Sequence, residues 1–334
     1  MGYKIAILGA TGAVGREMLK CIDEYKIDID ELRLLASKRS EGKKVLFQGH
    51  EITIHEANAD SFNGCDFVLG AAENDISEKF VEDIKKSGAV YIDNSSAFRL
   101  FDDVPLVVPE VNGEDAFNHH GVIANPNCVT IIALMAVGAL NKISPITSMI
   151  ASSYQAVSGA GHQGLEELED QEKSLANGDP IEWKTFKTQI LRNCIPVIGG
   201  YKDNGYTSEE MKLQNEGRKI LHNYDMKVAC TCVRVPVMRS HSIAITVRTK
   251  DKISIEEATK AINAFPGVHV VEDIDGRDYP TPLDTTDQND VYVGRIRDDL
   301  TDEKGLCLWC CGDQIRKGAA ANAVQIINLL INND

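Results

Sequence analysis

Apolar and polar positions follow a regular order over the first third of the chain. Tyr3 to Leu8 reads as a short buried strand, Gly9-Ala-Thr-Gly12-Ala-Val-Gly15 as a turn, and Arg16 to Tyr25 as a helix. A second strand is predicted at Leu32 to Ala36, others at Asp66 to Gly70 and Val90 to Ile92, with a helix from about Ser77 to Ser87 between them. Strands alternating with helices predict a parallel sheet, so this part belongs to the α/β class. Asn125-Pro-Asn-Cys128 then leads into a run from 129 to 140 without a charge, which reads as a loop feeding a buried helix with Cys128 among its first backbone N–H groups.

Beyond Cys128 the pattern changes. Strand-like runs at Met149 to Ala156, Lys227 to Pro236, Ser242 to Val247 and Gly305 to Cys311 predict antiparallel strands with inserted helices, an α+β arrangement. Gly164 to Leu175 is an acidic helix with a solvated face, ended by Ala176-Asn-Gly-Asp-Pro180. Arg316 to Ile331 is an apolar-striped helix expected to return to the first domain. The predicted division is residues 1–127 with 316–334 as one domain and 128–315 as the other.

Composition sharpens this outline. A chain of 334 residues is long enough for two cores, and 43% apolar with 25% charged residues predicts folding almost end to end. The net charge of −15 opposes nucleic acid, so any anionic ligand must be met by local Arg or Lys. Nine scattered cysteines, an odd number, point to reduced thiols rather than a disulfide framework. Cys230-Thr-Cys232 and Cys307-Leu-Trp-Cys310-Cys311 fall on strand-like runs, and no metal site is expected from them. The N-terminus lacks a signal-peptide pattern and no apolar run is long enough for a membrane span, so a soluble cytoplasmic protein is expected.

Several local features carry chemistry. Backbone donors and the positive end of a helix dipole would favour a thiolate at Cys128, suited to attack on a carbonyl; taken alone, the same cysteine also fits a buried structural thiol. Strand, glycine loop and helix in that order suit a dinucleotide, whose pyrophosphate meets the helix N-terminus. At the end of the second strand stands Ser37-Lys38-Arg39-Ser40 in place of an acidic residue, which suits the 2′-phosphate of NADP rather than the ribose of NAD. Asp93-Asn-Ser-Ser-Ala-Phe-Arg99 follows a strand end, where Arg99 is a candidate oxyanion clamp. Ser153-Tyr-Gln155-Ala-Val-Ser-Gly159-Ala-Gly161, Glu209-Glu210-Met-Lys212 and Arg234 to His241 add an amide, an acid/base and cations to the candidate nucleophile.

These motifs, in this order and from Lys4 to Leu330, resemble the aspartate-β-semialdehyde dehydrogenase family; Val107-Val-Pro-Glu-Val-Asn112 and Lys317-Gly-Ala-Ala-Ala-Asn322 also belong to the pattern. The resemblance implies a Rossmann-like NADP-binding domain and a catalytic and dimerisation domain with a mixed or antiparallel sheet. It implies NADPH-dependent reduction of L-4-aspartyl phosphate to L-aspartate 4-semialdehyde and phosphate, through a cysteine thioester, in biosynthesis of lysine, threonine, methionine and isoleucine. Matched position by position, Cys128 is the nucleophile, His241 an acid/base titrating near neutrality, and Gln155 the residue that orients the acyl group. Arg234 holds the substrate carboxylate, Glu210 its amino group, and Arg99, Asn127 and Lys212 the phosphate. The cofactor falls to Gly9, Thr11, Gly12, Ala13, Val14, Ser37, Arg39, Ser40, Ser158, Gly159 and Asn322. A homodimer or tetramer is implied as well.

One departure from the family pattern is Ala71-Ala-Glu73-Asn-Asp75, where small residues are common; carboxylates there are expected to weaken phosphate binding or the NADP preference. Two other readings stay open: a reductase of the N-acetyl-γ-glutamyl-phosphate type, and a nucleotide-binding regulator without turnover.

Overall fold

A computed structural model, describing residues 2–333, divides the chain into two compact units. The first runs to Asn127 and resumes at Ala319; the second is Cys128–Gly318.

The first unit is built on a seven-stranded sheet of order β3-β4-β2-β1-β5-β6-β7. Its strands are β1 (Tyr3–Leu8), β2 (Ile29–Ala36), β3 (Lys44–Phe47), β4 (His50–Glu56), β5 (Phe67–Gly70), β6 (Val90–Asp93) and β7 (Val122–Ala124). Every neighbouring pair is parallel except β3 with β4. The helices are α1 (Ala13–Glu24), α2 (Asn74–Ser87), the single turn α3 (Pro109–Asn112) and the C-terminal α9 (Ala321–Ile331). Ile5, Ile7, Leu34 and Leu69 from the sheet are fully or almost fully buried with Met18 and Ile22 of α1 and Val324 and Ile327 of α9. The apolar C-terminal helix thus packs on α1, as its stripe predicts.

The β3–β4 hairpin was not among the predicted elements. Its two-residue turn, Gln48-Gly49, needs positive φ at both positions, 47° and 82°. Gln at the first of these lacks the Asn-Gly or Asp-Gly signal that marks such turns in a sequence.

The second unit contains a six-stranded mixed sheet of order β11-β12-β13-β10-β8-β9. Its strands are β8 (Ile146–Gln155), β9 (Lys227–Arg234), β10 (His241–Thr249), β11 (Val268–Val270), β12 (Val291–Asp298) and β13 (Gly305–Gly312). β8 with β9 and β11 with β12 are parallel, the remaining pairs antiparallel. The helices are α4 (Cys128–Ile143), α5 (His162–Asn177), α6 (Ser208–Ile220), α7 (Ile255–Asn263) and the short α8 (Pro282–Thr285). Residues 129–140 of α4 are all buried, because the helix lies against β10, β12 and β13 on one side and α6 and α7 on others. A helix covered all round has no need of a polar face.

The acidic helix α5 is not solvated along its whole acidic face. Glu167 is buried and accepts backbone hydrogen bonds from the loop that follows, while Gln171 donates to Glu182 O at 3.0 Å and accepts from Leu191 N at 2.9 Å. The stretch predicted as one helix from Arg316 opens as a wider π-type turn, Arg316–Ala320, before α9. Among the described residues no helix is long and apolar enough to cross a membrane.

Candidate active site

In the first unit the glycine loop is shaped by backbone contact. Gly9 has φ +92°, and a methyl group added there would lie 2.4 Å from Ala71 O. A methyl on Gly15 would lie 2.4 Å from Gly9 O, so its absence lets the start of α1 sit against the loop. Gly12, by contrast, would leave a methyl in ordinary contact, 3.5 Å from Gly9 O, and it forms the N-cap of α1 without a side-chain hydrogen bond. The first N–H groups of α1, at Ala13 and Val14, therefore stand at the mouth of an exposed loop beside Thr11. Ser37, Lys38 and Arg39 are exposed after β2, with Ser40 buried beneath their turn and its N–H on Ser37 O. A backbone cradle and a cationic turn fit a phosphorylated dinucleotide.

Glu73 and Asp75 are exposed at the N-terminus of α2, and Asn74 is joined to Ser96 by a bond from its amide to Oγ at 3.0 Å. Their charge meets the positive end of that helix.

Arg99 is buried and anchored: its Nε donates to Asn125 O at 2.9 Å and Nη2 to Asn94 O at 2.7 Å. Asn127 is buried as well. Asn322 is fully buried and directs its amide hydrogens to Val107 O, 2.9 Å, and Asn125 Oδ1, 2.7 Å. It props the Asn125 loop, whose own amide reaches Asn94 Oδ1 and, at 3.4 Å, Ala319 O.

In the second unit, strand register gathers side chains that are far apart in sequence. Gln155 ends β8 and pairs with Arg234, the last residue of β9; on the other side of β8, the antiparallel β10 begins at His241. Three neighbouring strands therefore deliver an amide, a guanidinium and an imidazole to one edge. Cys128 opens α4, half-buried, and the wide turn passes so close that a methyl on Gly318 would lie 2.8 Å from Cys128 Cβ.

Gly159 is the wedge between two of these groups. A methyl there would lie 2.6 Å from Arg234 Nη1 and 3.2 Å from the His241 ring. Ser158, next to it, accepts a hydrogen bond from the buried Gln314. Gln314 in turn accepts from Ser240 N at 2.9 Å. Ser240 has φ +72°, a left-handed conformation that this clamp holds immediately before His241.

His241 is fully buried and does not titrate near neutrality. Burial, and next the adjacent Arg234 charge, push it down to about 3, so the ring is neutral at pH 7. Ala156 N donates to its Nδ1 at 3.1 Å, which assigns the proton to Nε2; that nitrogen is buried with no hydrogen-bond partner. A buried N–H without a partner is suited to meet an oxygen that a ligand brings.

Glu210, expected at a ligand ammonium, has a different place. Its Oε2 accepts from Thr207 N at 2.7 Å and its Oε1 from Cys232 N at 3.1 Å, so it closes the capping box of α6 and ties that helix to β9. Its neighbour Glu209 is the acid that lies beside Gln155 and Lys212. Glu209 Oε1 lies 3.4 Å from Gln155 Nε2, and Oε2 pairs with Lys212 Nζ at 2.9 Å. Glu209 also favours the charged forms of both Arg234 and His241 against burial. The signal that separates the two acids was present in Thr207-Ser-Glu-Glu210, the Thr-x-x-Glu pattern of a capping box.

Cys230, Cys310 and Cys311 are held as thiols. The Cys232 thiol and burial push Cys230 up, and burial pushes Cys310 up and Cys311 to about 12. Cys230 and Cys232 share a strand face with their sulfurs 3.7 Å apart. Among the described residues no group of three or more His, Cys, Asp or Glu is placed to hold a metal ion.

Two family models match the chain: semialdehyde dehydrogenase, NAD binding domain, over residues 4–119, and semialdehyde dehydrogenase, dimerisation domain, over residues 137–317. The aspartate-semialdehyde dehydrogenase of Synechocystis sp. is 46% identical over 328 residues, 98% of this chain and 97% of the relative. That of Bacillus subtilis is 43% identical over 337 residues, with 98% and 97% covered. Among solved structures, aspartate semialdehyde dehydrogenase II of Vibrio cholerae complexed with ASA superposes with a TM-score of 0.95 at 40% identity, covering 99% of each chain.

Proposed function

The chain belongs to the aspartate-semialdehyde dehydrogenase family, and from that premise we propose that it catalyses the reversible NADPH-dependent reduction of L-4-aspartyl phosphate to L-aspartate 4-semialdehyde and phosphate. The observation that carries the reading in this chain is the Gly159 wedge, which brings Arg234 against His241, with Glu209 and Cys128 close enough to favour the guanidinium charge.

In the oxidative direction the Cys128 thiolate attacks the aldehyde carbon, the C=O π pair moves to oxygen, and a thiohemiacetal alkoxide forms on the sulfur. NADP, when bound, would supply the hydride acceptor; loss of hydride from the former aldehyde carbon leaves a thioester on Cys128. A phosphate oxygen then adds to the thioester carbonyl, the C–S bond breaks, and the thiolate is restored as the acyl phosphate leaves. Biosynthesis of lysine, threonine, methionine and isoleucine would use the reverse direction.

The chain's own groups are assigned by chemistry. The His241 Nε2–H is the proton-bearing group at the reacting oxygen, where a donor gains strength as negative charge develops. Gln155 orients the acyl group from the adjacent strand end. Arg234 offers a planar fork to the substrate carboxylate. Glu209, rather than Glu210, takes the ammonium, because both oxygens of Glu210 are engaged by backbone. Phosphate is assigned to Lys212 in the second unit and to Arg99 and Asn127 in the first. NADP is assigned to Gly9, Thr11, Gly12, Ala13 and Val14, with Ser37, Arg39 and Ser40 at the 2′-phosphate, and with Ser158, Gly159 and Asn322; Ser158 and Asn322 also support their own loops.

We further propose that the chain acts in the cytoplasm and self-associates, as a homodimer or tetramer, through the unit that contains residues 137–317. The dimerisation-domain match supports the second point, as do Ile150 and Tyr154, exposed on one face of β8.

The test follows NADPH absorbance with aspartate semialdehyde, NADP and inorganic phosphate. Phosphate-dependent NADPH formation by the wild type, absent in Cys128→Ala, is expected. A folded wild type that forms no NADPH from this substrate would sink the assignment.

A further inference from the structure

We propose that Phe186, held in place by Glu167, is a positioning residue for the Arg234 guanidinium and thereby sets the affinity for the substrate's carboxylate; this rests on the assignment of that carboxylate to Arg234 above.

Three contacts fix Arg234. Its backbone N and O pair with O and N of Ile195, at 2.8 and 2.9 Å, in a bridge that brings the irregular segment 180–207 beside the strand end. Its Nη1 donates to Ala156 O at 2.6 Å, which sets one end of the guanidinium. Its Cζ lies 6.0 Å from the centre of the Phe186 ring, within cation–π range. Ala156 and Gly159 confine the Nη1 end, and the Phe186 ring is the side-chain contact that opposes rotation of the plane.

Phe186 belongs to no helix or strand, so its position must be imposed from outside the segment. Glu167 supplies that. Its carboxylate, buried at 8% exposure, accepts from three successive backbone N–H groups: Lys184 at 2.7 Å, Thr185, and Phe186 at 3.4 Å. A charged acceptor serving successive amides is a strong local restraint. Behind it, Phe186 packs with Ile195 and Met238 on a small core of Val157, Leu168, Ile190 and Leu191. The line of force runs from a helix carboxylate to a loop backbone, to an aromatic face, to the guanidinium.

The prediction separates this role from general stability. Phe186→Leu keeps the apolar bulk and removes the ring face; it should raise KM for aspartate semialdehyde about two- to thirtyfold, while KM for NADP moves less than about threefold. Phe186→Tyr, which retains the ring, should raise it less. Glu167→Gln should shift KM in the same direction as Phe186→Leu. In an Arg234→Gln background the Phe186→Leu effect should fall below about twofold, since a partner's contribution disappears with its target. If Arg234→Gln raises KM but Phe186→Leu does not, or if the Phe186→Leu effect persists undiminished without Arg234, the positioning role is overturned while the substrate assignment stands. If Arg234→Gln leaves KM unchanged, the assignment of Arg234 falls, and the positioning role falls with it.

Discussion

In the first unit the proposed cofactor site is backbone: the loop from Gly9 to Gly15 offers N–H groups and closes because side chains are missing at Gly9 and Gly15. In the second unit the groups proposed to work are side chains, brought from residues 128, 155, 209, 234 and 241 by strand register and helix ends. The two kinds of site fail differently. A backbone cradle is written in a few consecutive residues and is damaged by an added carbon at Gly9 or Gly15, whereas a side-chain cluster is damaged by loss of one functional group while its scaffold persists.

Loss of a functional group should give the largest effect. His241→Asn is expected to lower kcat by about two to four orders of magnitude, with NADP affinity changed less than about threefold in a fluorescence titration. Equal loss of cofactor binding would break the separation between the two regions. Next comes the cradle: Gly9→Ala places a methyl against Ala71 O at a residue with positive φ, and should cost about 2 kcal/mol or more, read as lower Tm together with weaker NADP binding. Gly159→Ala tests the same added carbon in the side-chain site. Its nearest neighbour is the end of the Arg234 side chain, which can yield, so kcat/KM should fall by about one order of magnitude with Tm nearly preserved. Arg39→Ala is expected to have a smaller effect, about tenfold on KM for NADP with KM for NAD unmoved, because the side chain is exposed.

The smallest expected effect is a shift along the pH axis. Substrate carboxylate paired with Arg234 removes part of the charge that depresses His241, so the acid limb of kcat should lie at higher pH than that of kcat/KM. The same residue ties stability to pH. Its folded value, about 3, lies below the ordinary 6.5, so the unfolded chain binds a proton that the folded chain refuses. Stability from this source is complete above pH 6.5 and is lost as pH falls toward about 3. Urea midpoints over that window should decline less steeply in His241→Asn than in the wild type.

Legibility in the sequence follows the same division. The first β-α unit, the turn after β2 and the uncharged α4 were readable because their determinants are local: a glycine spacing, a cationic tetrapeptide, a run without charge. β12 was not readable, since Arg295 at φ +57° and the register shift between Gly294 and Arg297 interrupt the alternation that marks a strand. The order of functional residues was visible; their protonation was not. The neutrality of His241 depends on full burial beside Arg234, seven residues earlier in sequence and brought close by a neighbouring pair of strand ends. Glu209 and Glu210 differ only in which one turns back to cap the helix, a choice that the Thr207 hydroxyl makes.

The contacts at the two chain crossings imply something about how the molecule can be taken apart. Within the second unit, its first residue, Cys128, touches its last, Gly318; within the first, Asn125 bonds to Ala319, where the chain resumes. Each unit is therefore a ring of polypeptide whose cut ends already meet. Segment 128–318 could be excised as one piece, and the flanking pieces rejoined by a linker of a few residues at little loop-closure cost. The gene reads as a host with a passenger, and the reactive cysteine is the passenger's first residue.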